Sequence, residues 1–342
     1  MTFADFQMTA ELRTAPEAVR RQEQALSSVL AALAARLRRK PPQVVVTCAR
    51  GSSAHAATFG KHLIERYLGI VVAAAAPSVT TIYHQRLSLD GQFFLAISQS
   101  GKSGDLIEQA VAARNSGAVT ACITNDAASE LAQSCEFVLP MEAGPELSVP
   151  ATKTFIASIA VLARLTALWA EHEALAGALR RLPDRLAAAN ELDWSNLVGT
   201  LTGASSLVTI GRGPTLAIAR EAALKLKETS GLHAEAFSSA EFQHGPIALV
   251  SSDYPIVIFT PTDAAAAGTK QLADNLKAKG AALFATGSNG AAGQLETLAP
   301  DQPEADAICQ IQSFYGMVVR LAAARGVNVD EPPHLQKITR TR

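Results

Sequence analysis

The sequence predicts an α/β protein made of two copies of one parallel-sheet unit. Short apolar runs rich in β-branched and aromatic residues alternate with longer helix-periodic segments, the pattern of strands joined by crossover helices. The pattern then recurs: Val46 and Val208, Ser98 and Thr260, and Thr124 and Thr286 lie in or close strand-like runs, and each pair is 162 residues apart. The chain has 342 residues, enough for two cores, and its apolar content of 48% with only 5% aromatic residues suits close helix packing on sheets.

Taken in order, the residues up to Arg39 read as a helical arm. Gln43 to Cys48 predicts a strand, Ser53 to Leu68 a helix and Ile70 to Ala75 a strand. Phe93 to Ile97 is a fully apolar strand, Leu106 to Arg114 a helix, Ala118 to Thr124 a strand and Phe137 to Pro140 a short one. A long apolar helix follows from about Thr152 to Ala170, and the charged segment Glu171 to Ser195 reads as a helical connector. The expected organisation is an arm over 1–39, a first unit over 40–170, a connector over 171–195, a second unit over 196–329 and an extended tail over 330–342, which carries Pro332-Pro333.

The first strand-to-helix turn of interest is Ser98-Gln99-Ser100-Gly101-Lys102-Ser103-Gly104-Asp105. A buried strand delivers hydroxyls to a helix start, where unpaired N–H groups and the positive dipole end favour anions. Glycines let the backbone come close. That reads as a small phosphate cradle; a plain serine-capped turn is the structural alternative. A nucleotide P-loop is a weak match, because that motif wants glycine where this chain has Ala96. In the second copy the matching turn is Thr260-Pro261-Thr262-Asp263, where proline lacks a donor and aspartate repels phosphate. One phosphate site, in the first copy, is expected.

A second constellation lies in the second copy. Glu221, Lys225 and Glu228 share a helix face at spacings of four and three residues, which is either a surface ion-pair ladder or part of an acid–base site. His244 precedes Gly245-Pro246 and so belongs in a turn. Histidine, carboxylate and lysine beside a phosphate cradle suit ring opening and proton transfer on a sugar phosphate. Net charge is −1 with no basic stripe, which argues against nucleic acid as a partner. No apolar run approaches a membrane span and no leader peptide is visible, so a cytoplasmic protein is expected. The four cysteines are scattered and read as buried and reduced. No ligand spacing for a metal is found.

The two-copy unit with Ser98-Gln-Ser-Gly resembles the sugar isomerase (SIS) domain family, whose units are three-layer, flavodoxin-like sandwiches. It is most similar to the isomerase half of glucosamine-6-phosphate synthase and to the stand-alone SIS-type glucosamine-6-phosphate deaminases. The resemblance rests on Arg50-Gly-Ser-Ser53, Ser98-Gln-Ser-Gly-Lys-Ser-Gly-Asp105, Val149-Pro-Ala-Thr-Lys153, Glu221-Ala-Ala-Leu-Lys-Leu-Lys-Glu228, His233-Ala-Glu-Ala-Phe237, His244-Gly-Pro246 and the tail around Lys337. It implies that Ser53, Ser98, Ser100 and Ser103 hold phosphate. Ser52 and Gln99 would contact the sugar or its phosphate, and Val149 and Ala151 would line the pocket. Glu228 would move a proton between C1 and C2, with Lys225 beside it. His244 would help open the ring, reaching in from a neighbouring subunit of a homodimer. Lys337 matches a tail lysine that forms a Schiff base in the synthase. No cofactor is implied.

Two departures shape the expectation. Arg50 stands where the synthase has cysteine; with Gly51 it would either touch phosphate, lock the turn or pair with a carboxylate. Ala151 replaces a serine. No glutaminase domain with an early cysteine precedes the unit, which points the reaction towards ammonia release. The expected activity is conversion of glucosamine 6-phosphate to fructose 6-phosphate and ammonia. The alternatives are the synthetic direction, deamination of galactosamine 6-phosphate or a fructosamine phosphate, and a non-catalytic sugar-phosphate sensor.

Overall fold

A computed structural model describes residues 6–287 and 293–337; the last five tail residues, 338–342, lie outside them. The chain divides into two compact units. The front unit holds Glu17–Glu146, Lys153–Arg180 and the tail from Gln336; the rear unit holds the chain up to Pro16, Leu147–Thr152 and Arg181–Leu335.

The arm is three helices, α1 (Gln7–Arg13), α2 (Ala15–Ala25) and α3 (Ser27–Arg39). There follow β1 (Val44–Ala49), α4 (Gly51–Leu68), β2 (Val71–Ala74), α5 (Pro77–Thr81), β3 (Phe93–Ser98), α6 (Gly104–Asn115), β4 (Val119–Thr124), α7 (Glu130–Ser134), β5 (Phe137–Pro140) and α8 (Lys153–Trp169). The front sheet is parallel, in the order β2-β1-β3-β4-β5. β3 and β4 are buried along their whole length, as expected of strands covered on both faces. α4 stops at Gly69, whose φ of +69° allows the left-handed cap. α8 is buried nearly all round and packs on α3 and α4.

The predicted connector begins with α9 (Glu173–Ala189), which carries the chain from the front unit into the rear one. The rear unit continues with α10 (Ser195–Thr202), β6 (Ser206–Gly211), α11 (Pro214–Ser230), β7 (His233–Ser238), β8 (Pro255–Phe259), α12 (Ala266–Ala278), β9 (Ala282–Gly287), β10 (Gln294–Glu296) and α13 (Pro303–Ala324). Its parallel sheet runs β10-β9-β8-β6-β7, the same order as the front sheet read from the other edge. Each unit is thus a helix-covered five-stranded sheet.

Pairing register tests the repeat. Val46 faces Phe94 and Val208 faces Ile256, so both partners shift by 162 (208 − 46 and 256 − 94). Val44 with Val71 and Ser206 with His233 keep that shift. The next pair slips: Phe94 faces Thr120 but Ile256 faces Leu283, a shift of 163 (283 − 120). Register therefore matches Thr124 with Gly287 rather than Thr286, because the second copy carries one more residue between these two strands. Thr286 instead accepts the Thr260 N–H on its Oγ1 at 2.8 Å.

All four cysteines are buried and unbridged. Burial pushes the Cys48 and Cys309 thiols up to about 12. One expectation needs revision. Among the described residues α13 is long and apolar enough, by length and composition, to cross a membrane, although 78% of its most apolar window is buried in the protein. Its Glu304, Asp306, Gln310 and Gln312 broke the apolar run in the sequence, and all four are themselves buried. α13 is a core helix packed on α11.

Candidate functional site

In the order β2-β1-β3 the chain leaves β1 and β3 in opposite directions, which opens a crevice at their carboxyl ends. α4 and α6 begin at that crevice. Their cap residues, Arg50 and Ser103, are extended, and neither side chain caps its own helix. Ser52 and Ser53 occupy the first turn of α4, half-buried, with Gly51 before them. The Ser98 turn is shaped from within: Gly101 N–H donates to Ser98 Oγ at 3.2 Å and Lys102 N–H to Ser100 Oγ at 3.3 Å. Gly101 has φ +63°, and a Cβ there would fall 2.1 Å from Ser129 Oγ, so only glycine fits this bend. Gln99, Ser100 and Ser103 remain partly accessible.

Arg50 meets Asp105 through Nε at 3.1 Å and Nη2 at 2.8 Å, both to Oδ2. Of the three roles open to Arg50, pairing with a carboxylate is the one observed. Asp105 is buried in the first turn of α6, where an unpaired carboxylate would repel an anion. Arg50→Cys is therefore expected to weaken sugar-phosphate binding by roughly tenfold, and Asp105→Asn added to it to restore most of the loss. Titration calorimetry on both variants checks this.

The tail lysine lies on the same sheet edge. Lys337 Nζ is 3.1 Å from Glu146 Oε2, and the Glu146 side chain is fully buried. Glu146 stands on the loop after β5. Asn125, after β4, donates its N–H to Gln99 O at 3.1 Å. The Asn125 amide also accepts from Ala143 N–H at 3.0 Å and donates to Gly144 O at 2.8 Å. Hydrogen bonds thus run from the serine turn to within two residues of Glu146.

In the rear unit Glu221 and Lys225 are fully buried on α11, so the surface-ladder reading fails. The motif lies within a helix that starts at Pro214. Lys225 Nζ hydrogen-bonds Glu228 Oε2 and is 3.5 Å from Glu221 Oε1. Tyr315 OH donates to Glu221 Oε1 at 3.1 Å. Glu228 keeps 21% of its side chain exposed, so a substrate can reach the carboxylate whose counter-ion is buried. His244 is exposed between two short 3-10 turns, Glu241–Gln243 and Pro246–Leu249. The first turn is pinned by reciprocal bonds, Ser238 Oγ to Glu241 Oε2 at 2.9 Å and Glu241 N–H to Ser238 Oγ at 3.1 Å. Val149 and Ala151 are partly buried; Val149 N–H donates to Asp330 O at 3.1 Å.

The rear counterpart of the cradle is filled internally. Thr262 Oγ1 donates to Asp306 Oδ2 at 2.7 Å, Arg185 pairs with Asp306 at 2.7 Å, and Gln310 Nε2 donates to Thr260 O at 2.9 Å. Burial pushes the Asp306 carboxyl upward, against the pull of Thr262, the Asp301 amide and Arg185. Among the described residues no group of three or more His, Cys, Asp or Glu is placed to hold a metal ion.

The front unit thus gathers Arg50, Gly51, Ser52, Ser53, Ser98, Gln99, Ser100, Ser103 and Lys337, while Val149, Ala151, Lys225, Glu228 and His244 belong to the rear unit. The SIS domain model matches residues 39–168 and 200–313. The chain belongs to the SIS domain family. This tandem SIS protein is 34% identical over 269 residues to the isomerizing glutamine–fructose-6-phosphate aminotransferase of Symbiobacterium thermophilum, covering 75% of this chain and 44% of that one. A crystal structure provisionally named a phosphosugar isomerase, from Silicibacter pomeroyi, shares 42% identity with a TM-score of 0.89, covering 96% of this chain and all of that one. The C-terminal domain of the glucosamine-fructose-6-phosphate aminotransferase of Francisella tularensis shares 25% identity with a TM-score of 0.85, covering 97% of this chain and all of that domain. The SIS protein spans about half the length of the curated aminotransferases it matches.

Glu146 is the site residue that sequence reasoning missed. Its signal was its place three residues before Val149, inside a segment already singled out.

Proposed function

We propose that this SIS protein is an amino-sugar-phosphate deaminase that converts glucosamine 6-phosphate and water to fructose 6-phosphate and ammonia. The phosphate sits on the hydroxyls of Ser53, Ser98, Ser100 and Ser103 and on the starts of α4 and α6, with Ser52 and Gln99 beside it. His244, given by a neighbouring copy in a homodimer, assists opening of the ring to the C1 aldehyde. Glu228 takes the C2 proton, leaving an enolamine, and returns a proton to C1. The resulting C2 imine adds water and expels ammonia, leaving the ketone. Val149 and Ala151 flank the sugar chain.

The observation that carries this reading is the pairing of an accessible Glu228 with a fully buried Lys225. A buried ammonium beside a reachable carboxylate is costly to maintain for structure alone and suits a group that must gain and lose a proton. A second reading has its own support: the named relatives are aminotransferases. The same residues run in reverse would aminate fructose 6-phosphate.

The discriminating assay offers glucosamine 6-phosphate, galactosamine 6-phosphate and a fructosamine phosphate and measures ammonia. Release from glucosamine 6-phosphate is expected. Release from one of the other two alone moves the substrate, and no ammonia from any removes deamination.

A further inference from the structure

The Glu146 carboxylate is fully buried and also accepts from Thr154. Thr154 donates its N–H to Glu146 Oε1 at 3.2 Å and its hydroxyl to Oε2 at 2.6 Å. Thr154 lies in the first turn of α8, a helix of 17 residues, so the carboxylate also faces the positive end of that helix. Lys153, the residue before it, donates its Nζ to Pro145 O, closing the loop that carries Glu146. A buried carboxylate fixed this way stays in place whether or not Lys337 is present. Residues 331–336 of the tail are exposed except Pro332 and form no helix or strand. Upstream, Asp330 anchors the tail by accepting from Gln7 N–H at 2.8 Å and Met8 N–H at 2.9 Å.

We infer that Glu146 is the positioning residue for Lys337: a preformed anionic socket at the start of α8, on a loop whose Ala143 and Gly144 are tied through Asn125 to the serine turn, that seats the tail ammonium beside the phosphate cradle. The inference rests on the amino-sugar reading above for the use made of Lys337, but the seating itself does not. Glu146 does not touch the reacting atoms. It fixes the tail, and the tail brings Lys337 to the rim where the sugar's oxygen atoms lie.

Hydrogen exchange and kinetics on the full chain test it. Glu146→Gln keeps the shape and an acceptor for the Thr154 N–H but removes the charge that holds Lys337. Amide exchange over 331–337 is expected to rise about tenfold or more in Glu146→Gln and in Lys337→Met, with exchange in β3 and α8 unchanged. With glucosamine 6-phosphate, each variant is expected to lose kcat by about tenfold with KM nearly unchanged, and the double variant to lose no more than Lys337→Met alone. Glu146→Asp, which keeps the charge but withdraws it by one methylene, should fall between. If Glu146→Gln is not recovered folded, Glu146→Asp and Lys337→Met carry the comparison. Unchanged tail exchange in the Glu146 variants overturns the inference, as do losses that multiply in the double variant. A protein inactive on every amino sugar would sink the proposed function yet leave the exchange result to decide the socket.

Discussion

Glu228→Gln is expected to lower kcat on glucosamine 6-phosphate by roughly 10²- to 10⁴-fold, the usual worth of a positioned general base. Binding of the sugar phosphate should hardly change, because the cradle belongs to other residues. Folding should survive as well. Lys225 still has Glu221 at 3.5 Å after the change, and position 228 is partly exposed, so glutamine is solvated there. Proton exchange gives the sharper readout. In deuterated water the native protein should wash the C2 proton out of glucosamine 6-phosphate, and the variant should not. Full activity of the variant would show that another group moves the proton.

Lys225→Met has the second large effect, and it falls first on stability. The ammonium sits between Glu221, fully buried, and Glu228. Methionine fills much of the same volume and leaves the buried Glu221 carboxylate without the Lys225 ammonium. Breaking a buried pair this way costs about 3–5 kcal/mol, or a shift of the carboxylate toward its neutral form at a similar cost. Urea unfolding should show the loss in the midpoint with the slope unchanged. Adding Glu221→Gln to Lys225→Met removes the stranded charge while keeping an acceptor for Tyr315 OH, and should recover a large part of the stability. A double variant no better than the single one would mean that packing, rather than charge, holds this position.

Much of the fold was legible because strands buried on both faces write continuous apolar runs, as in Phe93 to Ile97, and because the two copies repeat at a fixed distance. The register slip at β9 was hidden, since one residue in a connection changes no pattern within the strands on either side. The serine turn was visible as strand, hydroxyls and glycine. What held Arg50 was not visible, because its partner Asp105 is fifty-five residues away in sequence and meets it only where α4 and α6 start side by side. The Glu221–Lys225–Glu228 spacing reads the same on a wet or a dry helix face. Only the packing of α11 against α13, with Tyr315 on Glu221, shows that the face is dry. Glu146 escaped notice because a lone glutamate in a loop carries no periodicity, and its meaning comes from Thr154 and Lys337.

The rear copy's missing site has a physical explanation in the same terms. Where the front copy leaves hydroxyls and helix starts facing the crevice, the rear copy spends the Thr262 hydroxyl on Asp306 and the Thr260 carbonyl on Gln310. Under the proposed function, the front unit holds phosphate and the rear unit supplies the acid–base groups. Equal copies at the level of the sheet thus differ in which crevice groups their own helices consume.

In the proposed reaction a sugar phosphate seated on the serine turn gives up its C2 proton to Glu228. The most direct measurement is a crystal structure with an unreactive open-chain analogue, 2-amino-2-deoxyglucitol 6-phosphate. Its phosphate is expected on Ser98, Ser100 and Ser103, with C1 and C2 within about 3–3.5 Å of a Glu228 carboxylate. A phosphate seated on that turn with C1 and C2 out of reach of every Glu228 in the assembly would contradict it.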